Sequence, residues 1–235
     1  MKKIISTSLL LLAVAAMTAQ YTMGQSGKET RNVSDFNEIS FGIAGYLHVK
    51  IGSAFSVTLE GDKSYLSEIE TFVRNGRLII RHESNWHFFN NQHADVYVTL
   101  PDLKALGVSG SGDATVEDAL KANSLDLDVS GSGKININDL TASSINCEIS
   151  GSGNISLNGS GEVEKGECSI SGSGNFKSTN VRVADFEVRI SGSGNCSCNV
   201  KENLRASVSG SGSVLYSGTP RLDVHTSGSG HVRSR

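Results

Sequence analysis

A tetrapeptide, Ser-Gly-Ser-Gly, occurs seven times in the second half of the sequence and constrains the fold more than any other feature. The first glycines of successive copies are separated by 21, 20, 21, 20, 18 and 18 residues. A period near twenty residues is typical of solenoids and other arrays of one structural unit. Glycine suits turns in which φ is positive or two backbones crowd together. The glycines assigned to these turns are Gly110, Gly112, Gly131, Gly133, Gly151, Gly153, Gly172, Gly174, Gly192, Gly194, Gly210, Gly212, Gly228 and Gly230.

Alternating residues on both sides of each turn indicate two β-strands per repeat. Before the turn, Leu125, Leu127 and Val129 alternate with Asp126 and Asp128, and period two is typical of strands with one buried face. After the turn, a second apolar column runs through the repeats: Ala114, Ile135, Ile155, Phe176, Cys196, Val214 and Val232. We therefore predict an all-β protein, a parallel β-solenoid (β-helix) with coils of about 20 residues that stack into one core.

The order of these features resembles one known family. A strand-rich first half leads into "LPDLKALGVSGSGD" at residues 100–113, and regularly spaced Ser-Gly-Ser-Gly turns follow. This is similar to the autotransporter-adhesin "head GIN" domain, a domain of unknown function in bacterial envelope proteins, over roughly residues 32–235. The resemblance implies a right-handed, pectin-lyase-like β-superhelix with a role in adhesion. It supplies no catalytic residues.

The first residues of the chain predict export. Residues 1–19 combine Lys2 and Lys3 with an apolar core and with small residues near Ala19, the pattern of a cleavable signal peptide. That core is too short to span a bilayer as a helix, and no second apolar segment of membrane length follows. We expect a chain that is exported to the periplasm or the cell surface and does not span the membrane. Its formal net charge of −3 argues against nucleic acid as a partner.

The remainder of the first half is less regular than the repeats. Residues 20–31 are polar and contain glycine, and we expect a flexible leader there. Residues 32–107 are predicted to form the first strands and the cap of the solenoid, in one domain with the regular coils of residues 108–235. Residues 64–73 fit either a short helix or an irregular strand, and the Asn-Gly pair that follows predicts a tight turn.

An aromatic segment interrupts the strand pattern at residues 85–93. It contains Trp86, Phe88 and Phe89, which fit either a platform for a ligand such as a sugar ring or a loop that folds its rings over the core. We favour the loop, because rings of this size are mostly buried. The histidines in and around the segment do not have the spacing of a zinc site.

The repeats also align side chains of one type in neighbouring coils. Asn154, Asn175 and Asn195 share one outward position, which predicts a hydrogen-bonded amide ladder. All four cysteines fall in inward columns, where a free thiol fits as a small buried hydrophobic group. However, Cys147 and Cys168 share a column in adjacent coils, and an exported chain meets oxidising conditions, so a disulfide between them is an open alternative.

The outward residues before each turn form two polar columns. The candidate ligand-binding residues in these columns are Asp126, Asp128, Glu148, Glu167 and Arg189. Crowded carboxylates can hold Ca²⁺, and a cation beside a base is what a polyuronate lyase needs. A solvated sheet face is polar in any case, and its acids and arginines can pair across strands. We favour the second interpretation and predict no metal site.

Taken together, these patterns favour a non-enzymatic exported β-solenoid that acts in adhesion or as an envelope scaffold, with a glycan or a surface protein as its partner. The alternative is a polysaccharide-active, lyase-like enzyme on the acidic lateral face, because fold does not decide function. The sequence contains neither a nucleophile elbow with a suitable histidine and aspartate nor a phosphate-binding loop, and no cofactor is expected. Its oligomeric state is left open.

Overall fold

The computed structural model describes residues 26–83 and 93–235. This part of the chain is almost entirely β-structure, with one short helix, α1, at Lys63–Leu66. The strands are β1 (Ser26–Arg31), β2 (Glu38–Gly42), β3 (Gly45–Ile51), β4 (Ser56–Asp62), β5 (Ile69–Arg74), β6 (Arg77–His82), β7 (Ala94–Leu100), β8 (Ala105–Gly110), β9 (Asp113–Gly131), β10 (Lys134–Gly151), β11 (Asn154–Leu157), β12 (Glu162–Gly172), β13 (Asn175–Gly192), β14 (Asn195–Gly210), β15 (Ser213–Ser217), β16 (Arg221–Gly228) and β17 (His231–Ser234).

The repeats stack as parallel coils, as the spacing predicts. Gly131 pairs with Gly151, and the same register continues through the coils to Gly210 and Gly228. Residues before the turn form one side of the solenoid, the pre-turn face, and residues after it form the other, the post-turn face. The predicted β-solenoid of roughly 20-residue coils is therefore confirmed.

In four coils the second corner lies within one continuous strand, β9, β10, β13 or β14, whereas a turn separates β11 from β12 and β15 from β16. Strands such as β9 and β13 continue through this corner, and β13 runs for 18 residues from Asn175 to Gly192. The register between neighbouring coils shifts at the corner, for example between Ile137 and Asp139 of β10. Hydrogen bonding therefore persists around the coil, because a local irregularity absorbs the bend.

The inward columns form one continuous core between the two faces. The column after the turn is buried from Ala114 to Val214, and Val232 of the last coil is only partly buried. On the pre-turn face, Gly166 takes the place of a larger apolar residue. The ring of Phe186 in the next coil fills that space, and a Cβ on Gly166 would lie 2.6 Å from it. The sequence of one coil thus depends on its neighbour.

Both glycines of each turn have a backbone function. The first glycine has φ between +87° and +125° in all seven copies, a region that other residues avoid. The second glycine has no room for a side chain. A Cβ on Gly153 would lie 2.6 Å from the carbonyl oxygen of Gly133 in the preceding coil and would also clash with Val129. Both positions therefore favour glycine for reasons of the backbone.

The N-terminal coils do not follow the order of the chain. β2 lies between β6 and β8, and β3 lies between β7 and β9, all in parallel register. The chain therefore passes outward after β3, builds the coil of β6 and β7, and then returns past β2 to form β8. Leu103 is fully buried in the returning connection.

Antiparallel strands and α1 close this end of the solenoid. β4 pairs with β7, β5 pairs with β6, and Tyr65 and Leu66 of α1 are buried beneath them. Residues 64–73, whose sequence fits either a short helix or an irregular strand, thus fall in α1 and then in β5. The predicted tight turn is present, since Asn75 and Gly76 both have positive φ between β5 and β6.

The prediction of a flexible leader at residues 20–31 is wrong for its last six residues. Ser26–Arg31 forms β1, which pairs antiparallel with β4 along its whole length. Lys28 makes an ion pair of 2.8 Å with Glu60, and Arg31 donates a hydrogen bond to the carbonyl oxygen of Leu66. The polar composition of this segment reflects an edge strand, whose side chains are largely exposed to solvent.

Candidate functional site

The two polar columns of the pre-turn face lie as the sequence predicts. Asp128 pairs in register with Glu148, and Asp126 pairs with Asn146 in the same two coils. Burial, and after it the nearby charge of Glu148, raises the pKa of the Asp128 carboxyl. These carboxylates therefore repel one another without a positive partner between them.

Further along the same face, the remaining carboxylates form ion pairs with arginines. Arg189 contacts Glu167 of the preceding coil and lies 2.6 Å from Glu187 of its own strand. Arg205 makes an ion pair of 3.0 Å with Asp223 of the next coil. Of the five candidate residues, Asp126, Asp128 and Glu148 thus lie in an acidic region, whereas Glu167 and Arg189 form an ion pair further along the face. Among residues 26–83 and 93–235, no group of three His, Cys, Asp or Glu side chains is arranged to hold a metal ion.

A groove of about 590 Å³ runs beside these ion pairs, along the backbone of Gly166. Its floor includes Ile145 and Phe186, and its rim carries Glu167, Glu187 and Arg205. These charges already have partners, since Glu187 lies 4.0 Å from Arg205 and Glu167 contacts Arg189. A ligand that used them would have to displace those ion pairs.

The aromatic segment considered as a platform, with Trp86, Phe88 and Phe89, lies outside the described residues. The histidines on either side of it are described. The hydroxyl of Tyr65 lies 3.1 Å from Nε2 of His82, whereas His93 packs edge-on against the ring of Tyr46. These two histidines therefore pack against different aromatic residues.

The post-turn face presents an exposed aromatic surface that the sequence analysis did not identify. We call Tyr46, His48 and Tyr97 the aromatic patch. The rings of His48 and Tyr97 stack, with centroids 4.9 Å apart and an angle of 13° between their planes. Tyr46 and Tyr97 are 51% and 39% exposed, which is high for large aromatic residues. The patch spans two neighbouring strands, β3 and β7.

Charged side chains surround the aromatic patch. In the ladder, Tyr46 lies between Asp95 of β7 and Asp113 of β9. Nδ1 of His48 lies 2.8 Å from a carboxylate oxygen of Glu117, and Nζ of Lys50 lies 3.4 Å from the other oxygen. The hydrogen bond from His48, with a smaller contribution from Lys50, lowers the pKa of Glu117. The patch thus combines flat apolar rings with ionised carboxylates, which accept hydrogen bonds.

A local signal for the patch exists in the sequence. In β3, Tyr46, His48 and Lys50 alternate with inward apolar residues, and Tyr97 holds an outward position in β7. Large aromatic rings in outward positions are unusual enough to mark a surface. The pairing of β3 with β7 was needed to bring them together, because the sequence does not show which strands are neighbours.

The amide ladder is present, and it is structural. Asn175 donates a hydrogen bond of 2.8 Å to Asn154, and Asn195 donates one of 3.0 Å to Asn175. Each side chain thus satisfies its neighbour along the solenoid axis. This arrangement confirms the predicted ladder.

The cysteines occupy the core as free thiols. Cys147 and Cys168 are in register in adjacent coils and fully buried, and the structure contains no disulfide between them. Burial raises the pKa of both thiols, and it raises that of Cys196 as well. A thiol with a raised pKa is a poor nucleophile and a poor metal ligand, so these side chains fit packing best.

Comparisons with known proteins agree with this architecture. The family model described as "putative auto-transporter adhesin, head GIN domain" matches residues 35–220. A search of curated proteins found no match. In the described part of the chain, no helix has the length and apolar character needed to cross a membrane.

Solved structures with the same fold include three from Bacteroides fragilis and Parabacteroides distasonis. A "putative adhesin" from Bacteroides fragilis has a TM-score of 0.84 at 24% identity, and the match covers 90% of this chain and 97% of that one. A "putative adhesin" from Parabacteroides distasonis has a TM-score of 0.74 at 22% identity, with 91% and 98% covered. A "putative lipid binding protein" from Parabacteroides distasonis has a TM-score of 0.70 at 23% identity, with 91% and 98% covered.

Proposed function

Because the chain belongs to the family described as "putative auto-transporter adhesin, head GIN domain", we propose that it is an exported, non-enzymatic binding protein that holds a glycan on its aromatic patch. The observation that carries this proposal is the stacked pair of rings, partly buried His48 and exposed Tyr97, next to the more exposed Tyr46. Such rings have an apolar body and a polar edge, which suits a partly wet binding surface.

The surroundings of the patch favour a sugar as the ligand. A sugar ring has an apolar face of C–H groups that can pack on an aromatic ring, and hydroxyls around its edge that need hydrogen-bond acceptors. Tyr46 supplies the ring, and Asp95 and Asp113 on either side of it supply acceptors. The regular polar rows of the post-turn face extend the surface along the solenoid, so several units of a glycan chain could lie across neighbouring strands.

The acidic columns support the enzymatic alternative less well. A lyase needs a cation that neutralises the substrate and a base placed beside it. Arg189 is held between Glu167 and Glu187, so its charge is already balanced. Asp128 and Glu148 form a pair of acids rather than a set of three ligands. A passive binding surface therefore accounts for more of the geometry than a catalytic one does.

A glycan array with the mature protein tests the proposal. We expect binding that is lost in Tyr46→Ala and Tyr97→Ala but kept in Tyr46→Phe, because the phenylalanine preserves the ring. Glu164→Gln, an exposed change outside the patch, is the matched control and should bind like the wild type. Melting temperatures of all variants should stay close to that of the wild type, since Tyr46 and Tyr97 point away from the core.

Two results would contradict the proposal. A folded wild-type protein that binds no glycan, but binds lipid vesicles, would favour a lipid ligand instead. Glycan binding that survives both alanine changes would show that the patch is not the site. Protease treatment of whole cells should degrade the protein if it is exposed at the cell surface, and a protected protein would be periplasmic.

A further inference from the structure

In the described part of the chain, the last coil of the solenoid exposes apolar residues at core positions. The last strand of the pre-turn face, β16, pairs with β14 on one side, and all eight of its residues are exposed. Leu222 and Val224 occupy the inward columns that are buried in earlier coils, yet they are 45% and 41% exposed. On the post-turn face, β17 pairs with β15 and leaves Val232 only partly buried.

The opposite end of the molecule is closed. There, α1 buries Tyr65 and Leu66 over the core, and the polar strand β1 covers the edge of β4. Edge strands are commonly protected by proline, lysine or a bulge. Within Arg221–Gly228 the sequence contains none of these, and the strand pairs with β14 without a register shift. Within residues 26–83 and 93–235, the apolar side chains exposed at an end of the stack are thus those of the C-terminal coil.

We propose that a second copy of this chain covers the C-terminal end, with the two β16 strands antiparallel across a two-fold axis at Val224. Contact between two identical ends has closed two-fold symmetry, whereas stacking the open end of one copy on the closed end of another is a heterologous contact that can continue into a filament. Because side chains alternate with period two, a two-fold axis at Val224 keeps every inward residue of both copies on the core side.

The sequence of β16 is complementary to itself in this register. Val224 lies opposite Val224 of the second copy, and Leu222 lies opposite Thr226. The outward positions place Asp223 opposite His225, twice across the axis, so each carboxylate faces an imidazole. Arg205 already lies 3.0 Å from Asp223 and would stay beside this pair as a positive neighbour of the carboxylate. Cross-strand pairs of opposite charge stabilise an antiparallel sheet, whereas like charges in these positions destabilise it.

Cysteine crosslinking of the full mature chain tests the register. Opposite residues of an antiparallel pair have Cα atoms about 4.5–5.5 Å apart, within the reach of a disulfide. We therefore expect Val224→Cys to form a covalent dimer under mild oxidation. Thr226→Cys is the matched control, because its two copies would lie about 13 Å apart, four residues along the strand. The native cysteines are buried, so the wild type should not crosslink.

Light scattering after size exclusion tests the interface without crosslinking. We expect a dimer for the wild type and a monomer for Val224→Lys. His225→Asp should weaken the dimer at least tenfold, because it places two acids opposite one another, and Asp223→His combined with His225→Asp should restore it. Tyr46→Lys, on the lateral face, should remain a dimer.

Circular dichroism separates loss of the dimer from loss of the fold. Because Val224 is already exposed at the end of the stack, we expect Val224→Lys to keep the β-spectrum of the wild type. A wild-type protein that is monomeric at high micromolar concentration would overturn the proposal. A dimer that persists in Val224→Lys, or crosslinks at Thr226→Cys instead, would overturn the proposed interface.

Discussion

Gly151 lies directly over Gly131 of the preceding coil, and a Cβ on Gly151 would approach the Gly131 carbonyl oxygen to 2.6 Å. The same residue has φ of 114°, which β-branched residues strongly avoid. We therefore expect Gly151→Val to lower the free energy of unfolding by about 1–3 kcal/mol or more, from backbone strain alone. Chemical denaturation followed by circular dichroism measures this loss.

The neighbouring serine supplies the control for this change. Ser152 is exposed, and its backbone N–H, which alanine retains, donates a hydrogen bond of 2.8 Å to Gly131. Ser152→Ala should therefore unfold at nearly the same denaturant concentration as the wild type. Equal destabilisation by both changes would show that the turn depends on the hydroxyl rather than on the backbone.

Deletion of one whole coil should be tolerated better than deletion of one residue. Removing residues 172–191 joins Ser171 to Gly192. The turn at Gly192 then replaces the turn at Gly172, with which it is already in register. We expect a shorter folded solenoid with a moderately lower melting temperature. Removing Val188 alone shifts the inward residues before it to the outward face, so we expect local unfolding and a much larger loss. Similar melting temperatures for the two deletions would contradict the stacked-coil interpretation.

The acidic pair on the pre-turn face should destabilise the protein at neutral pH. A folded-state pKa that is raised, as for Asp128, means that ionisation costs more in the folded than in the unfolded chain. The destabilisation therefore grows as the pH rises from the ordinary carboxyl pKa to this raised pKa, is complete above it, and is absent when both states are protonated. We expect Asp128→Asn with Glu148→Gln to raise stability by about 0.2–1 kcal/mol at pH 7, since like charges in adjacent strands repel.

The pH dependence distinguishes repulsion from other effects of this double change. The gain should disappear when unfolding is measured well below the ordinary pKa of a carboxyl group. A loss of stability at pH 7, especially one that calcium chelation also produces in the wild type, would show that the two acids bind a cation. That result would revive the enzymatic alternative.

The four cysteines should be inert in the folded protein. They are free and buried, and burial raises the pKa of the Cys147 and Cys168 thiols, so the reactive thiolate is scarce. We expect no reaction with a thiol reagent in buffer and four thiols per chain in guanidinium chloride. Protein isolated from the cell envelope that yields only two thiols on unfolding would instead contain one disulfide, and mass spectrometry of its peptides would show whether Cys147 and Cys168 form it.

The regular coils could be predicted from the sequence because each position is constrained by the same position one coil away. The glycines of the turns, the buried column from Ala114 to Val214 and the asparagine ladder all follow from this constraint. The N-terminal half has no repeat to align. Several of its strands alternate in the same way, and no local feature shows that β2 lies between β6 and β8.

The candidate site was predicted less well for the same reason. The columns of Asp128 and Glu148 were correct, because they belong to the repeat. The aromatic patch joins His48 to Tyr97, and these residues become neighbours only when β3 pairs with β7. The strand β1 was also missed, because a polar edge strand and a flexible segment have similar compositions.

The interleaved strands give the two ends of the molecule different resistance to force. At the C-terminal end the chain order matches the stacking order, so a pull on that end can peel coils away one at a time. A pull on the N-terminal end removes β1 and then reaches β2 and β3, which are held on both sides by strands that come later in the chain. Those strands must be torn out from between their neighbours. A protein held at its N-terminal end would therefore transmit a pulling force through the strands that are hardest to separate from their neighbours.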